Sequence, residues 1–244
     1  MNYVIFASGG NDSVALVEWA KERGLASVTV CHSNTGWASP AWPERIRIFS
    51  EYVRACGFDF TQIESVGFEP LVLQRKGFPA NRPKFCTYEL KIKPACEWLD
   101  RVDPDKEAIC LLGIRREESH SRSQWPEFIA ESPNHGGRDV WSPLVRVTKE
   151  ERDDLIKKTP LEILTHRSRE CSPCVNSNRA DFRMLPGSDI EKVEKLEAVI
   201  GKPMFRVQRF MGAKGIREVI RWAWSDRGKY ITEPQDCDSG FCGD

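Results

Sequence analysis

Apolar and polar positions along this chain fall into blocks whose period switches between that of a strand and that of a helix. Residues 2–7 (Asn-Tyr-Val-Ile-Phe-Ala) are a short apolar run that reads as a buried strand. Over 12–23 the apolar positions are 14, 15, 16, 17 and 20 and the charges 18, 21, 22 and 23, as in a helix with one face on a sheet. The alternation continues with a strand over 26–31, a helix over 42–56, a strand over 58–64, a helix over 85–101 and a strand over 108–112. Further helices are predicted over 148–157, 190–200 and 215–224. Hydrophobic strands alternating with helices predict an α/β fold, a parallel sheet with helices on both faces and right-handed crossovers. The pattern divides the chain into an α/β domain over 1–165 and a cysteine-bearing, helical C-terminal region over 166–244.

The first strand-to-helix junction is Ser8-Gly9-Gly10-Asn11-Asp12-Ser13. A helix N-terminus leaves backbone N–H groups unpaired and carries the positive end of the helix dipole, so this loop suits an anion. Gly9 and Gly10 permit close backbone approach, and Ser8 and Ser13 supply hydroxyls. An ordinary turn capped by Asp12 and Ser13 would use the same residues. In parallel α/β sheets, ligands lie at the carboxyl ends of strands near a switch point. The loop at 8–13, the His32-Ser33-Asn34-Thr35-Gly36 turn and the stretch after Leu112 all fall at such ends, so they are expected to converge.

Composition narrows the picture. In 244 residues, 36 basic side chains balance 36 acidic ones, so no global field argues for nucleic acid or membrane. No apolar run approaches membrane-spanning length, and Val4-Ile5-Phe6 is too short for a signal peptide, which predicts a soluble, cytoplasmic protein with no membrane partner. Nine cysteines at irregular spacing are a poor disulfide framework. Cys31, Cys56, Cys96 and Cys110 lie in apolar periodic segments and read as small core residues. Cys86, Cys171, Cys174, Cys237 and Cys242 lie in polar, turn-rich contexts and call for a chemical role.

Several motifs carry that role. Ser8–Ser13 resembles the pyrophosphate-binding loop of the PP-loop ATP pyrophosphatases, and lacks the lysine of a Walker A loop. Gly113-Ile114-Arg115-Arg116-Glu117-Glu118-Ser119, with Arg122, resembles a signature of the phosphoadenylyl-sulfate (PAPS) reductase family. Asn34-Thr35-Gly36 stands where that family has Asp-Thr-Gly. Cys86-Thr87, Leu90-Lys91 and Pro94 match its Cys-x-x-x-x-Lys-x-x-Pro, and Trp141-Ser142-Pro143-Leu144 its Pro-Leu turn. The chain is identified as a member of that family over residues 4 to about 175. The resemblance implies an adenine nucleotide with Mg²⁺, bound by Ser8, Gly9, Gly10, Asn11, Asp12, Ser13, Asn34, Thr35, Gly36 and Gly113. It also implies catalytic roles for Asp12, Lys91, Arg115 and Arg122, the arginines presenting cationic forks to phosphates and Lys91 a point charge.

Cys171-Ser172-Pro173-Cys174 suits zinc, an iron–sulfur cluster or a redox dithiol. With Cys86 it resembles the 4Fe–4S arrangement of adenylyl-sulfate reductases, except that Phe85 stands where those enzymes have a further cysteine. Three of four usual thiolates remain. Either another residue fills the fourth iron, or that iron is open, as in tRNA thiolases. The tail holding Cys237 and Cys242 reads as a mobile arm whose thiols can reach the site, and it lacks the Glu-Cys-Gly motif of sulfonucleotide reductases. Arg206, Arg209, Lys214, Arg217, Arg221 and Arg227, with Trp222 and Trp224, form a candidate nucleic-acid surface or, more simply, an amphipathic helix with tryptophan in the core.

Two activities follow. One is an ATP pyrophosphatase that adenylates an acceptor for iron–sulfur-dependent sulfur transfer onto nucleic acid, as in DNA phosphorothioation or tRNA thiolation, with a cysteine desulfurase or other sulfur donor as partner and self-association open. The other is an adenylyl-sulfate or phosphoadenylyl-sulfate reductase that releases sulfite. The intact loop, the single first cysteine and the tail favour the first.

Overall fold

A computed structural model describes residues 1–80, 84–205 and 215–226. Cys237 and Cys242, and Arg206, Arg209, Lys214 and Arg227, lie outside the described residues. The first half runs β1 (Tyr3–Phe6), α1 (Asn11–Glu22), β2 (Val28–Asn34), α2 (Trp42–Ala55), β3 (Asp59–Glu64) and α3 (Phe68–Arg75). Then come α4 (Phe85–Thr87), a π-helical turn (Tyr88–Ile92), α5 (Lys93–Val102), β4 (Ile109–Leu111), β5 (Phe128–Ser132) and β6 (Arg138–Trp141). The chain closes with α6 (Lys149–Ile156), α7 (Arg179–Arg183), α8 (Gly187–Ile200) and α9 (Ile216–Trp224).

The six strands order as β3-β2-β1-β4-β6-β5. Every pairing is parallel except β5 on β6, so one edge of the predicted parallel sheet is antiparallel. β1 is central, and its alternation sorts the core. Val4 and Phe6 face one side, with Cys110, Leu112, Ala95 and Leu99. Ile5 faces the other, with Val14, Val17, Phe49, Val53 and Ile156. Burial on both faces is why the strand reads as a continuous apolar run.

A third cluster lies off the sheet. Trp37, Phe68, Leu71, Val72 and Leu90 pack there against Phe182, Val193, Leu196, Ile216 and Val219. The C-terminal helices thus cover α3 and the π-helical turn, which carries Lys91. In α9 the buried positions are Ile216, Val219 and Ala223, the stripe of an amphipathic helix. Trp222 packs against this cluster, whereas Trp224 is 64% exposed. Arg217 pairs with Glu194 and Arg221 with Glu218.

All seven described cysteines are free thiols. Cys31 and Cys110 are buried, and Cys56 and Cys96 are half-buried against the sheet clusters, as expected of core thiols. No helix among the described residues is long and apolar enough to cross a membrane.

Candidate active site

The strand order turns at β1 and β4, and the loops leaving these two strands face each other across that crevice. They meet closely. A Cβ on Gly113 would lie 2.9 Å from the Asp12 carbonyl oxygen, so glycine is required where the β4 exit crosses the first turn of α1. Within the loop Gly9 adopts φ +74°, and Gly10 caps α1. The Ser8 N–H donates to Ser13 Oγ at 3.1 Å, and the Gly10 N–H to Ser8 Oγ at 3.4 Å. The hydroxyls predicted to face an anion thus hold the loop's own amides.

Three successive loop carbonyls are taken up by side chains behind the loop. His32 Nδ1 lies 3.0 Å from the Ala7 carbonyl oxygen. Trp42 Nε1 donates to Ser8 O at 3.2 Å, joined by Ser168 Oγ at 3.5 Å, and Arg45 Nε donates to Gly9 O at 2.8 Å. Asn11 exchanges two 2.9 Å hydrogen bonds with the backbone of Leu164, and Arg45 also reaches Glu162 O at 3.1 Å. The segment that leads into Cys171 is therefore a strap, 162–174, fastened along the loop.

Asp12 is fully buried, and its Oδ1 accepts from Arg115 Nε at 2.5 Å, with Arg152 3.8 Å away. Arg115 also reaches Glu117 at 3.1 Å. Burial works against the Arg115 charge, but Asp12 outweighs it and holds the guanidinium above its ordinary pKa. Glu118 Oε2 accepts from the Arg115 N–H at 3.1 Å and from the Arg122 guanidinium. The two arginines expected on phosphates are thus engaged with carboxylates of their own crevice. Glu118 Oε1 is buried and meets no hydrogen-bond partner among the described residues.

Burial first, then the neighbouring Asp12 carboxylate, pushes Glu118 up to about 8, against the pull of Arg122. Above 4.5 an unfolded glutamate releases its proton, while the folded chain keeps it until about pH 8. The folded state then binds more protons, so this group's contribution to stability falls as pH rises through that window and is constant beyond it. Between pH 5 and 8 the melting temperature is expected to fall less in Glu118→Gln than in the parent. Parallel curves for parent and variant would contradict the assignment.

At the β2 end, Asn34 Nδ2 donates to Glu64 Oε2 at 2.8 Å, and its Oδ1 accepts the Gly36 N–H at 3.0 Å, which forms the turn. Thr35 faces the strap. Its N–H donates to Glu170 Oε1 at 2.9 Å, and its hydroxyl to the Glu170 carbonyl at 2.8 Å. Glu170 Oε2 lies 3.2 Å from His32 Nε2. Next along the strap, Cys171 bridges to Trp37 and places Sγ 3.5 Å from Thr35 Oγ1.

Of the cysteines predicted as a set, Cys86 and Cys171 pack against the third cluster, and with Cys174 and Lys91 they influence one another electrostatically. Burial, then the charges of Cys171 and Cys174, pushes the Cys86 thiol up to about 12. Cys171 is likewise raised by burial, with Lys91 opposing. Burial would lower Lys91, but the Cys171 and Cys174 sulfurs and Glu170 outweigh it, and its ammonium sits above the ordinary value. Among the described residues no group of three or more His, Cys, Asp or Glu side chains is arranged to hold a metal ion.

His32, Glu118, Arg152, Glu170 and the strap were not singled out as site residues by the sequence reading. A histidine ending an apolar strand and a glutamate preceding the paired cysteines were the available signals.

Comparison with known proteins adds the following. The family model of the phosphoadenosine phosphosulfate reductase domain matches residues 2–168. A curated protein of Escherichia phage 186, "Uncharacterized 37.8 kDa protein in gpa 5'region", is 28% identical over 128 residues, 47% of this chain. The aligned part spans 36% of that relative's length. Among solved structures, an NMN synthetase from Francisella tularensis superposes with a TM-score of 0.50 at 15% identity, covering 91% of this chain and 83% of that one. A phosphoadenylyl-sulfate reductase from Candida auris, in complex with phosphate, gives a TM-score of 0.48 at 13% identity over 66% of this chain and 74% of that one.

Proposed function

The chain belongs to the phosphoadenosine phosphosulfate reductase domain family, and from that premise we propose that it is a PP-loop enzyme that cleaves ATP between the α and β phosphates, adenylating an acceptor for sulfur transfer. The observation that supports this most directly is the complete Ser8–Ser13 loop at the switch crevice, with the Ser8 N–H held by Ser13 Oγ and Asp12 fixed beside Arg115.

In this reading the β and γ phosphates lie on the loop, where the amides and the start of α1 replace water around the charge. The substrate's Mg²⁺ neutralises the leaving pyrophosphate. Arg122 exchanges Glu118 for phosphate, and Arg115 remains on Asp12 and orients it. An acceptor oxygen attacks the α phosphorus and pyrophosphate leaves. A sulfur nucleophile then displaces AMP, which carries that oxygen away. Asn34, Thr35, Gly36 and Gly113 form the nucleoside side of the site.

The C-terminal region, 166–244, supplies the sulfur chemistry in this proposal. Cys86, Cys171 and Cys174, with Lys91 as counter-charge, are the residues that would hold an iron–sulfur cluster. Among the described residues these thiols are not arranged as a ligand set. A nucleic-acid acceptor and a separate sulfur donor belong to the proposal on the strength of the family resemblance alone. Cys237 and Cys242 lie outside the described residues, and the proposal gives them no step.

The test is product analysis under anaerobic conditions. With ATP, AMP and pyrophosphate are expected in equal amounts. Sulfite from adenylyl sulfate and a thiol reductant, with no pyrophosphate from ATP, would replace this reading by the reductase. Iron and acid-labile sulfide that are lost together in Cys171→Ser would support the cluster, and their absence from the anaerobic parent would remove it.

A further inference from the structure

The strap joins two places that the proposed function uses in succession. Its first part is fastened to the loop through Asn11, Arg45 and Ser168, and its last part carries Cys171 and Cys174. Between them stands one buried pair. His32 is 2% exposed, and its ring nitrogens face the Ala7 carbonyl at 3.0 Å and Glu170 Oε2 at 3.2 Å.

The covalent geometry makes this pair responsive to the loop. The Ala7 carbonyl and the Ser8 N–H belong to one planar peptide unit. That N–H now donates to Ser13 Oγ. If it turns towards a phosphate, the same plane turns the Ala7 carbonyl against His32. A displaced His32 shifts Glu170, whose other oxygen holds the Thr35 N–H and whose backbone leads directly into Cys171. The Thr35 hydroxyl in turn lies on the Cys171 sulfur.

We propose that the His32–Glu170 pair is a positioning link through which an adenine nucleotide on the loop sets the reactivity of Cys171 and Cys174. The inference rests on the nucleotide site of the proposed function, but holds for either adenine nucleotide considered there. Coupling of this kind is an energetic relation between two sites, and its measure is the change that one ligand makes at the other site.

The experiment is alkylation of the full chain by iodoacetamide, with and without ATP or adenylyl sulfate. Peptide mass spectrometry follows Cys171 and Cys174, and nucleotide affinity is measured in parallel. Nucleotide is expected to change the alkylation rate of the parent by about fivefold or more. In His32→Phe, which keeps the ring shape without its hydrogen bonds, the nucleotide effect is expected to vanish while affinity stays within about threefold. Ser168→Ala, which cuts a different strap contact, is expected to keep the effect. If His32→Phe does not fold, Glu170→Leu, which removes both carboxylate contacts at similar size, provides the same comparison. A full nucleotide effect in these pair variants would overturn the link, as would a parent that binds nucleotide without any change at the thiols. A parent that binds neither nucleotide would overturn the proposed function and the link with it.

Discussion

Asp12→Asn is expected to abolish pyrophosphate release and also to lower the melting temperature. The carboxylate is fully buried, and its partner Arg115 has a side chain only 4% exposed. Removing one partner of a buried pair strands the other charge, at a cost of about 3–5 kcal/mol. Asparagine keeps an acceptor, so the lower end is expected, about 3 kcal/mol, or roughly 10 °C for a chain of this size. The loss of turnover should be larger than stability explains, at least about a hundredfold, because the proposed function places Asp12, oriented by Arg115, at the loop that holds the reacting phosphates. Measuring ATP cleavage well below the variant's melting temperature separates the two effects. A variant that melts early yet cleaves ATP at the parental rate would make Asp12 a structural residue alone.

Arg115→Met combined with Asp12→Asn refines that result. Each single change leaves a partner of the pair uncompensated, whereas after the double change only Arg152 loses a carboxylate, and it keeps Asp153. Stability is therefore expected to recover towards the parent while turnover does not. The recovery measures the ion pair, and the remaining loss measures what Asp12 does in the reaction.

What was legible in the sequence is what is local. Ser8–Ser13 is a contiguous segment whose residue types dictate a turn into a helix, and the sheet centre announces itself because β1 is apolar on both faces. The Arg115 to Arg122 segment was equally visible, but its pairing was not. Nothing near Arg115 in sequence indicates that its guanidinium lies against Asp12, 103 residues away. The strap was hidden for a related reason: its contacts to Ser8, Asn11 and Arg45 run through backbone carbonyls, which leave no mark on residue type. Strand β5 escaped because it is an exposed edge, with Phe128 53% exposed, and so lacks the alternation that a buried face imposes. Polar, turn-rich context marked five cysteines, and the resemblance to adenylyl-sulfate reductases drew Cys86, Cys171 and Cys174 out of them. Their neighbour Lys91 was legible only through the family motif.

The sharpest test of the crevice itself is Gly113→Ala, and it differs from the same change at Gly9. A Cβ on Gly9 would meet Ile46 Cδ1 at 2.5 Å, the far end of a side chain that can turn away, leaving mainly the strain of φ +74°. That strain costs about 1–2 kcal/mol. A Cβ on Gly113 would meet the Asp12 carbonyl oxygen at 2.9 Å and its carbonyl carbon at 3.1 Å. These atoms belong to the first turn of α1 and cannot yield without moving the helix. The extra methyl must therefore part the β4 exit from the loop, at about 1–3 kcal/mol of overpacking. Separation of the two walls also carries Arg115 away from Asp12. Gly113→Ala is therefore expected to cost at least about tenfold in nucleotide affinity, roughly 1.4 kcal/mol of that overpacking. Gly9→Ala is expected to affect stability and loop closure without opening the crevice. Equal nucleotide affinity in Gly113→Ala and the parent would show that the contact between β4 and α1 does not shape the binding site.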